Sequence, residues 1–254
     1  MQKKKRILLK VGSNTLTKET DNISRGKIED IASQIAKLQD SCEFIIVSSG
    51  AIAVAKQFVK LESKQKDVFV KQALASIGQP HLIRIYQEIF REYGLLTSQC
   101  LLSYSDFEKQ ESKTNIVNTI NVLVNNSYIP IINENDTVAT DEIKFGDNDK
   151  LAALTAALLN VDLFIIATNT NGIYTKESIS NNRPETIEDV IAIEDLMHQA
   201  VTSKSSHGSG GMQSKIDAIS VAKKANVETW IVNGLADNFM LNAFNRTIPF
   251  TKIK

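Results

Sequence analysis

The chain has 254 residues, 43% hydrophobic and 23% charged, enough for one large α/β domain or two lobes. Its 29 Lys and Arg balance its 29 Asp and Glu, which leaves no basic field of the kind that gathers nucleic acid. Isolated Cys42 and Cys100 and three scattered histidines argue against a disulfide framework, a zinc site or a histidine triad. The basic start is followed only by Ile7–Leu9 before Lys10, far short of a signal peptide or a membrane span, so the expectation is a cytoplasmic protein with no nucleic-acid or membrane partner.

Arg6–Val11 reads as a buried strand that runs into Gly12-Ser13-Asn14-Thr15. Lys10 at its end either snorkels to solvent or, with Gly-Ser close behind, points into a site where backbone amides approach a phosphate. Its sequence context does not separate the two. Ser24–Leu38 has helical spacing, with Ile28, Ile31, Ile35 and Leu38 on one face and Ser24 as N-cap. Glu43–Val47 is a second buried strand, leading into Ser48-Ser49-Gly50-Ala51. Strand, small-residue turn and helix is the layout that puts loops at the carboxyl ends of strands, where ligands bind. Ser49 and Gly50 are therefore candidate substrate contacts, although a tight turn would need the same residues.

Residues 67–93 read as a helix broken near Gly78-Gln79-Pro80, followed by a strand over Leu95–Leu102; both read as scaffold. Thr114–Asn125 is a further helix, and Ile129–Ile132 a buried strand that delivers Asn133-Glu134-Asn135-Asp136. Residues 137–145 have the alternation of a small hairpin. Gly146-Asp147-Asn148-Asp149 then opens an apolar helix over Leu151–Leu159. One of these polar residues is accounted for as a helix cap. Three in a row, paired with the earlier cluster, exceed what a cap requires and point to a ligand or metal site. A helix N-terminus favours a carboxylate or phosphate guest.

Asp162–Thr168 is the next strand, ending at Asn169, and Val227–Val232 the last, ending in an Asn233-Gly234 turn. Between them Gly208-Ser209-Gly210-Gly211-Met212-Gln213-Ser214-Lys215 opens a helix that runs through Ala225. A glycine-rich loop with a lysine one turn into the helix suits a polyphosphate, though a flexible surface turn would look alike. No GxxxxGK[ST] occurs, which counts against a P-loop. Strands that repeatedly end in polar loops predict an α/β fold, a three-layer αβα sandwich with a mainly parallel central sheet.

In this order, Lys10-Val-Gly-Ser, Ser48-Ser-Gly-Ala-Ile, Asn133-Glu-Asn-Asp, Glu142-Ile-Lys, Gly146-Asp-Asn-Asp and Gly208-Ser-Gly-Gly-Met with Lys215 resemble the amino-acid kinase family over nearly the whole chain. The two acidic clusters resemble the branch that phosphorylates the glutamate γ-carboxylate. The resemblance implies an ATP-dependent, Mg²⁺-assisted phosphotransferase at the first step from glutamate toward proline, built as a single domain over 1–254. Residues 1–165 would mainly hold substrate and 166–254 mainly nucleotide, without the C-terminal PUA domain of many members. It implies Lys10 and Lys215 flanking the transferred group and Asp149 holding both. Ser49, Gly50, Asn133, Asp136, Asp147 and Asn148 would meet glutamate, with Asp136 on its ammonium and Asn148 on its α-carboxylate. Lys10, Gly12, Thr168, Asn169 and Ser209 to Lys215 would meet ATP. Mg²⁺ would bridge the phosphates with few direct protein ligands, so no metal-ligating residue is assigned. Proline as feedback inhibitor, a homodimer or homotetramer and a downstream glutamyl-phosphate reductase complete the expectation. Three departures stand out: Asn169 where an aspartate is usual, and Ser209 and Ser214 where threonines are usual. A non-catalytic sensor on this fold would have no use for Lys10, Lys215 and Asp149 together, which favours the enzyme.

Overall fold

Leucine-rich and β-branched runs become strands, and the amphipathic segments between them helices, in the computed structural model, which describes residues 3–18, 22–61, 68–139, 148–181, 183–190 and 212–254. The chain starts with β1 (Lys5–Val11), α1 (Ser13–Thr17), α2 (Arg25–Leu38) and β2 (Cys42–Ser48). It continues through α3 (Ala51–Lys56), α4 (Val68–Glu92), β3 (Leu96–Leu102), a 3₁₀ turn at Tyr104–Phe107, α5 (Gln110–Asn125) and β4 (Tyr128–Glu134). The rest comprises α6 (Asp149–Leu159), β5 (Leu163–Thr168), α7 (Lys176–Ser180), β6 (Asp189–Val190), α8 (Met212–Lys224), β7 (Thr229–Asn233), α9 (Phe239–Phe244) and β8 (Thr251–Ile253).

The strands form one sheet in the order β3-β4-β2-β1-β5-β7-β8-β6, parallel at every pairing except β7 with β8. β1 lies at its centre, with Lys10 beside Val47 of β2 and Ile166 of β5. Because side chains alternate along a strand, Ile7, Leu9 and Val11 join a core with α2, α4 and α9, while Leu8 joins a second core with α5, α6 and α8. The result is the expected αβα sandwich. Lys10 shares the parity of Leu8, so it leaves the sheet on the side of α6 and α8. Among the described residues no helix is long and apolar enough to cross a membrane.

The expected Ser24 cap is present, its hydroxyl accepting from the Lys27 N–H at 3.2 Å. The expected break near Pro80 is not: α4 runs unbroken over Val68–Glu92. A proline in a helix interior removes a hydrogen bond and crowds the preceding turn. Here Leu74, Ala75, Leu82, Tyr86, Ile89 and Phe90 are buried on both sides of it, and that packing holds the helix through the defect. Gly78 has its own reason. A Cβ there would lie 1.8 Å from the Ala51 carbonyl oxygen, so only glycine lets α4 lie directly on the backbone of α3. Of the expected hairpin, residues 137–139 form a turn closed by Ala139 N–H on Asn135 O at 2.9 Å, and 140–145 lie outside the described residues.

Candidate active site

The carboxyl ends of β1, β2, β4, β5 and β7 open on one edge of the sheet, and the first turn of α6 faces them. That edge is where doubly wound sheets bind ligands. Asp149, first residue of α6, is fully buried and pairs through one carboxylate oxygen with the Lys10 ammonium. Its other oxygen meets the ammonium of Lys215, from the first turn of α8, at 3.1 Å. Burial alone would raise the Asp149 pKa, but the two ammonium groups outweigh it and hold the carboxyl well below the usual range. The amino end of α6 adds favourable potential. Lys10 is only 4% exposed, so it does not snorkel; it is drawn into the site. A Cβ at Gly12 would come within 3.2 Å of its Nζ, so the glycine leaves room for the ammonium to turn inward.

Asn148, the N-cap residue of α6, makes no side-chain cap. Its Nδ2 instead donates to the Ser48 carbonyl at 2.7 Å, to Asn133 Oδ1 at 2.7 Å and to Ser49 Oγ at 3.2 Å. Capping therefore explains neither Asn148 nor Asp149. Asn133 Oδ1 also accepts from the Glu134 N–H at 2.9 Å, and its Nδ2 donates to Gln79 Oε1 at 2.8 Å. Ser48 Oγ lies 3.0 Å from the Tyr86 hydroxyl, and burial pushes that phenol up to about 12. Gly50 follows with φ +106°, a left-handed backbone that favours glycine and swings the chain from β2 into α3.

Two acceptors here have no donor among the described residues: Asn148 Oδ1 and Asp136 Oδ1, both buried. Burial pushes the Asp136 carboxyl up to about 6. The geometry thus differs from the expectation that Asn148 would donate to an α-carboxylate. Its N–H groups are committed to the protein, and what it offers is an acceptor.

At the end of β5, Thr168 is buried and Asn169 exposed on the rim, their side chains 3.5 Å apart. The Gly234 N–H donates to Thr168 O at 2.7 Å, and Asn233 Nδ2 to Asn171 Oδ1 at 2.9 Å, tying the β5 and β7 loops together. In the first turn of α8, Gln213 is exposed and donates to Asp217 at 2.9 Å, while Ser214 and Lys215 are half-buried. Met212 opens that helix. Asp147, Ser209, Gly210 and Gly211 lie outside the described residues.

Lys10, Ser49, Gly50, Asn133, Asp136, Asn148, Asp149 and Lys215 are thus brought to one edge of the sheet. Gln79, Tyr86 and Ser48 were not anticipated there. The first two belong to a helix read as scaffold, and their signal was two polar side chains on an otherwise apolar face, two turns apart.

A doubly wound sheet thus carries two lysines closed on one buried carboxylate at its carboxyl edge. The model of the amino acid kinase family matches residues 5–233, and the chain belongs to that family. Within it the chain is 41% identical over 237 residues to the glutamate 5-kinase of Caldanaerobacter subterraneus subsp. tengcongensis, covering 92% of this chain and 64% of that one. It therefore spans about two thirds of the length of that relative. The glutamate 5-kinase of Alkaliphilus oremlandii is 37% identical over 253 residues, 99% of this chain and 96% of its own. Among solved structures, the carbamate kinase from Giardia lamblia bound to AMP-PNP shares the fold, with a TM-score of 0.69 at 16% identity over 100% of this chain and 99% of that one.

Proposed function

We propose that the chain transfers the γ-phosphoryl group of ATP to the γ-carboxylate of glutamate, giving ADP and glutamyl 5-phosphate, the first step toward proline. The observation that carries this reading is the buried Lys10–Asp149–Lys215 arrangement at the mouth of the sheet. Phosphoryl transfer between two anions asks for little covalent help; it needs both held in line while fixed positive charge offsets the charge on the moving group. Lys10 reaches that position from the central strand and Lys215 from α8. Asp149 holds both ammonium groups in place without reaching the reacting atoms.

Glutamate would lie over the amide cluster. Its ammonium matches the two buried acceptors, Asp136 Oδ1 and Asn148 Oδ1. The Ser49 hydroxyl and the Gly50 backbone are placed for a carboxylate, with Asn133 steering Asn148 and Asp147 inherited from the likeness. Gly12, Thr168, Asn169 and the 209–215 segment would receive ATP. A nucleotide analogue held by the carbamate kinase of the same fold supports an ATP site here. On this reading Mg²⁺ would arrive on the phosphates of ATP and supply charge neutralisation there. On this reading residues 1–165 mainly bind substrate and 166–254 mainly nucleotide. A homo-oligomer, end-product control by proline, a reductase that consumes the acyl phosphate and a cytoplasmic location follow from the same likeness to glutamate 5-kinases.

The test is ADP release from Mg²⁺ATP with and without glutamate, with hydroxylamine present to trap an acyl phosphate. Hydroxamate formed from glutamate is the expected result. ADP released with UMP or N-acetylglutamate but not with glutamate would overturn the choice of acceptor.

A further inference from the structure

Gln79 and Tyr86 lie seven residues apart on α4, hence on one side of the helix, and both end on the hydroxyl and amide groups around Asn148. The hydrogen bonds there have a single consistent direction. Ser48 Oγ donates to Ser49 O at 3.0 Å, so its one proton is used and the Tyr86 hydroxyl donates to it. The Ser48 carbonyl can only accept and the Glu134 N–H can only donate, which fixes both asparagine amides. Asn148 must give its N–H groups to the protein and keep Oδ1 spare. Asn133 must give Oδ1 to Asn148 and Glu134, and its Nδ2 then needs an acceptor in a dry pocket. Gln79 Oε1 is that acceptor, at 2.8 Å.

We propose that Gln79 is a positioning residue that keeps Asn148 Oδ1 free for the ammonium group of an amino-acid substrate, an inference that rests on the glutamate reading above. Asn148 and Asn133 are already joined by one amide bond at 2.7 Å. Without an acceptor at position 79, the buried Asn133 Nδ2 turns to the remaining oxygen of its neighbour, Asn148 Oδ1. The two amides then close on each other as a cyclic pair, and the acceptor offered to substrate is consumed. Burying a polar group without a partner is costly enough to drive this exchange. Gln79 touches no substrate atom in this account; it acts through Asn133.

The test compares L-glutamate with glutarate, which has both carboxylates and no ammonium, in the wild type, Gln79→Leu and Gln79→Glu. Gln79→Leu should raise the KM for glutamate roughly tenfold, the weight of one charge-assisted hydrogen bond. Its kcat at saturation, its KM for ATP and its KM for glutarate should stay within about twofold. Gln79→Glu keeps an acceptor for Asn133 and should restore the preference for glutamate. Equal losses for glutamate and glutarate, or Gln79→Glu as impaired as Gln79→Leu, would overturn the proposal and make Gln79 a packing residue. If the wild type phosphorylates neither acid, the glutamate reading fails by itself. The positioning role is then judged from NMR exchange of the side-chain amide protons. Slow exchange of Asn133 and Asn148 in the wild type, with the Asn148 pattern altered in Gln79→Leu, supports it; fast exchange in the wild type refutes it. Should the leucine variant not fold, Gln79→Met carries the same expectations.

Discussion

Two buried carboxylates of the same site stand in opposite electrostatic positions. Asp149 sits between two ammonium groups at the start of α6, and they outweigh its burial. Asp136, at the end of β4, has no ion pair among the described residues, and burial pushes it up to about 6. The contrast separates two ways of using charge. At Asp149 the protein has completed its own charge set, which fixes the lysines before any ligand arrives. At Asp136 it has left a charge incomplete, and the missing partner is what a substrate ammonium would bring.

Removing the two carboxylates should therefore have opposite effects on stability. Asp149→Asn leaves Lys10 and Lys215 buried against each other without a counter-charge. It should lower turnover at least about 10³-fold and cost roughly 3–5 kcal/mol of stability, measured by kinetics and by urea unfolding. A variant as stable as the wild type would break the comparison. Lys10→Ala removes the transition-state charge but leaves Asp149 with Lys215 and the α6 amino end. Turnover should fall by about 10²–10³ while thermal unfolding drops only a few degrees; normal turnover would refute the role given to Lys10.

Asp136→Asn should raise the glutamate KM by roughly 10–100-fold and, unusually for a site residue, raise thermal stability at pH 8. The folded-state pKa of Asp136 lies above its unfolded value, so its burial costs nothing below about pH 3, where both states are protonated. The cost grows as pH rises toward 6 and is complete above that, at most about 3 kcal/mol. The amide variant escapes it, so its gain in Tm should be present at pH 8 and absent at about pH 3. Last, the wild-type KM for glutamate should climb up to tenfold per unit as pH falls below about 6, because Asp136 must ionise to meet an ammonium. The climb should vanish in Asp136→Asn, and a flat profile in the wild type would detach Asp136 from substrate binding.

Strong local signals carried most of the sheet. The buried strands β1, β2, β4, β5 and β7 and the Ser24 cap of α2 follow from apolar runs and one well-placed serine. The grouping of Lys10 and Lys215 on Asp149 was expected from the family resemblance, and the fold places both ammonium groups on that carboxylate. What stayed hidden is what distant partners decide. α9 starts where the buried Gln34, 206 residues away, accepts the Met240 N–H at 2.8 Å, while its N-cap residue Asn238 makes no side-chain cap. α4 crosses Pro80 because tertiary packing outweighs one lost hydrogen bond. Which atom Asn148 offers is fixed by Ser48, Asn133 and Gln79, on three different elements, and no spacing in the chain encodes that choice.

The absent side chain at Gly78 has a mechanical corollary. With the backbone of α4 lying on the Ala51 carbonyl, α3 and α4 have no cushioning layer between them and cannot slide past one another. They pack as one unit, with Ser49 and Gly50 at the root of α3 and Gln79 and Tyr86 along α4. The backbone amides of α3 and α4 should accordingly exchange with solvent in a single step.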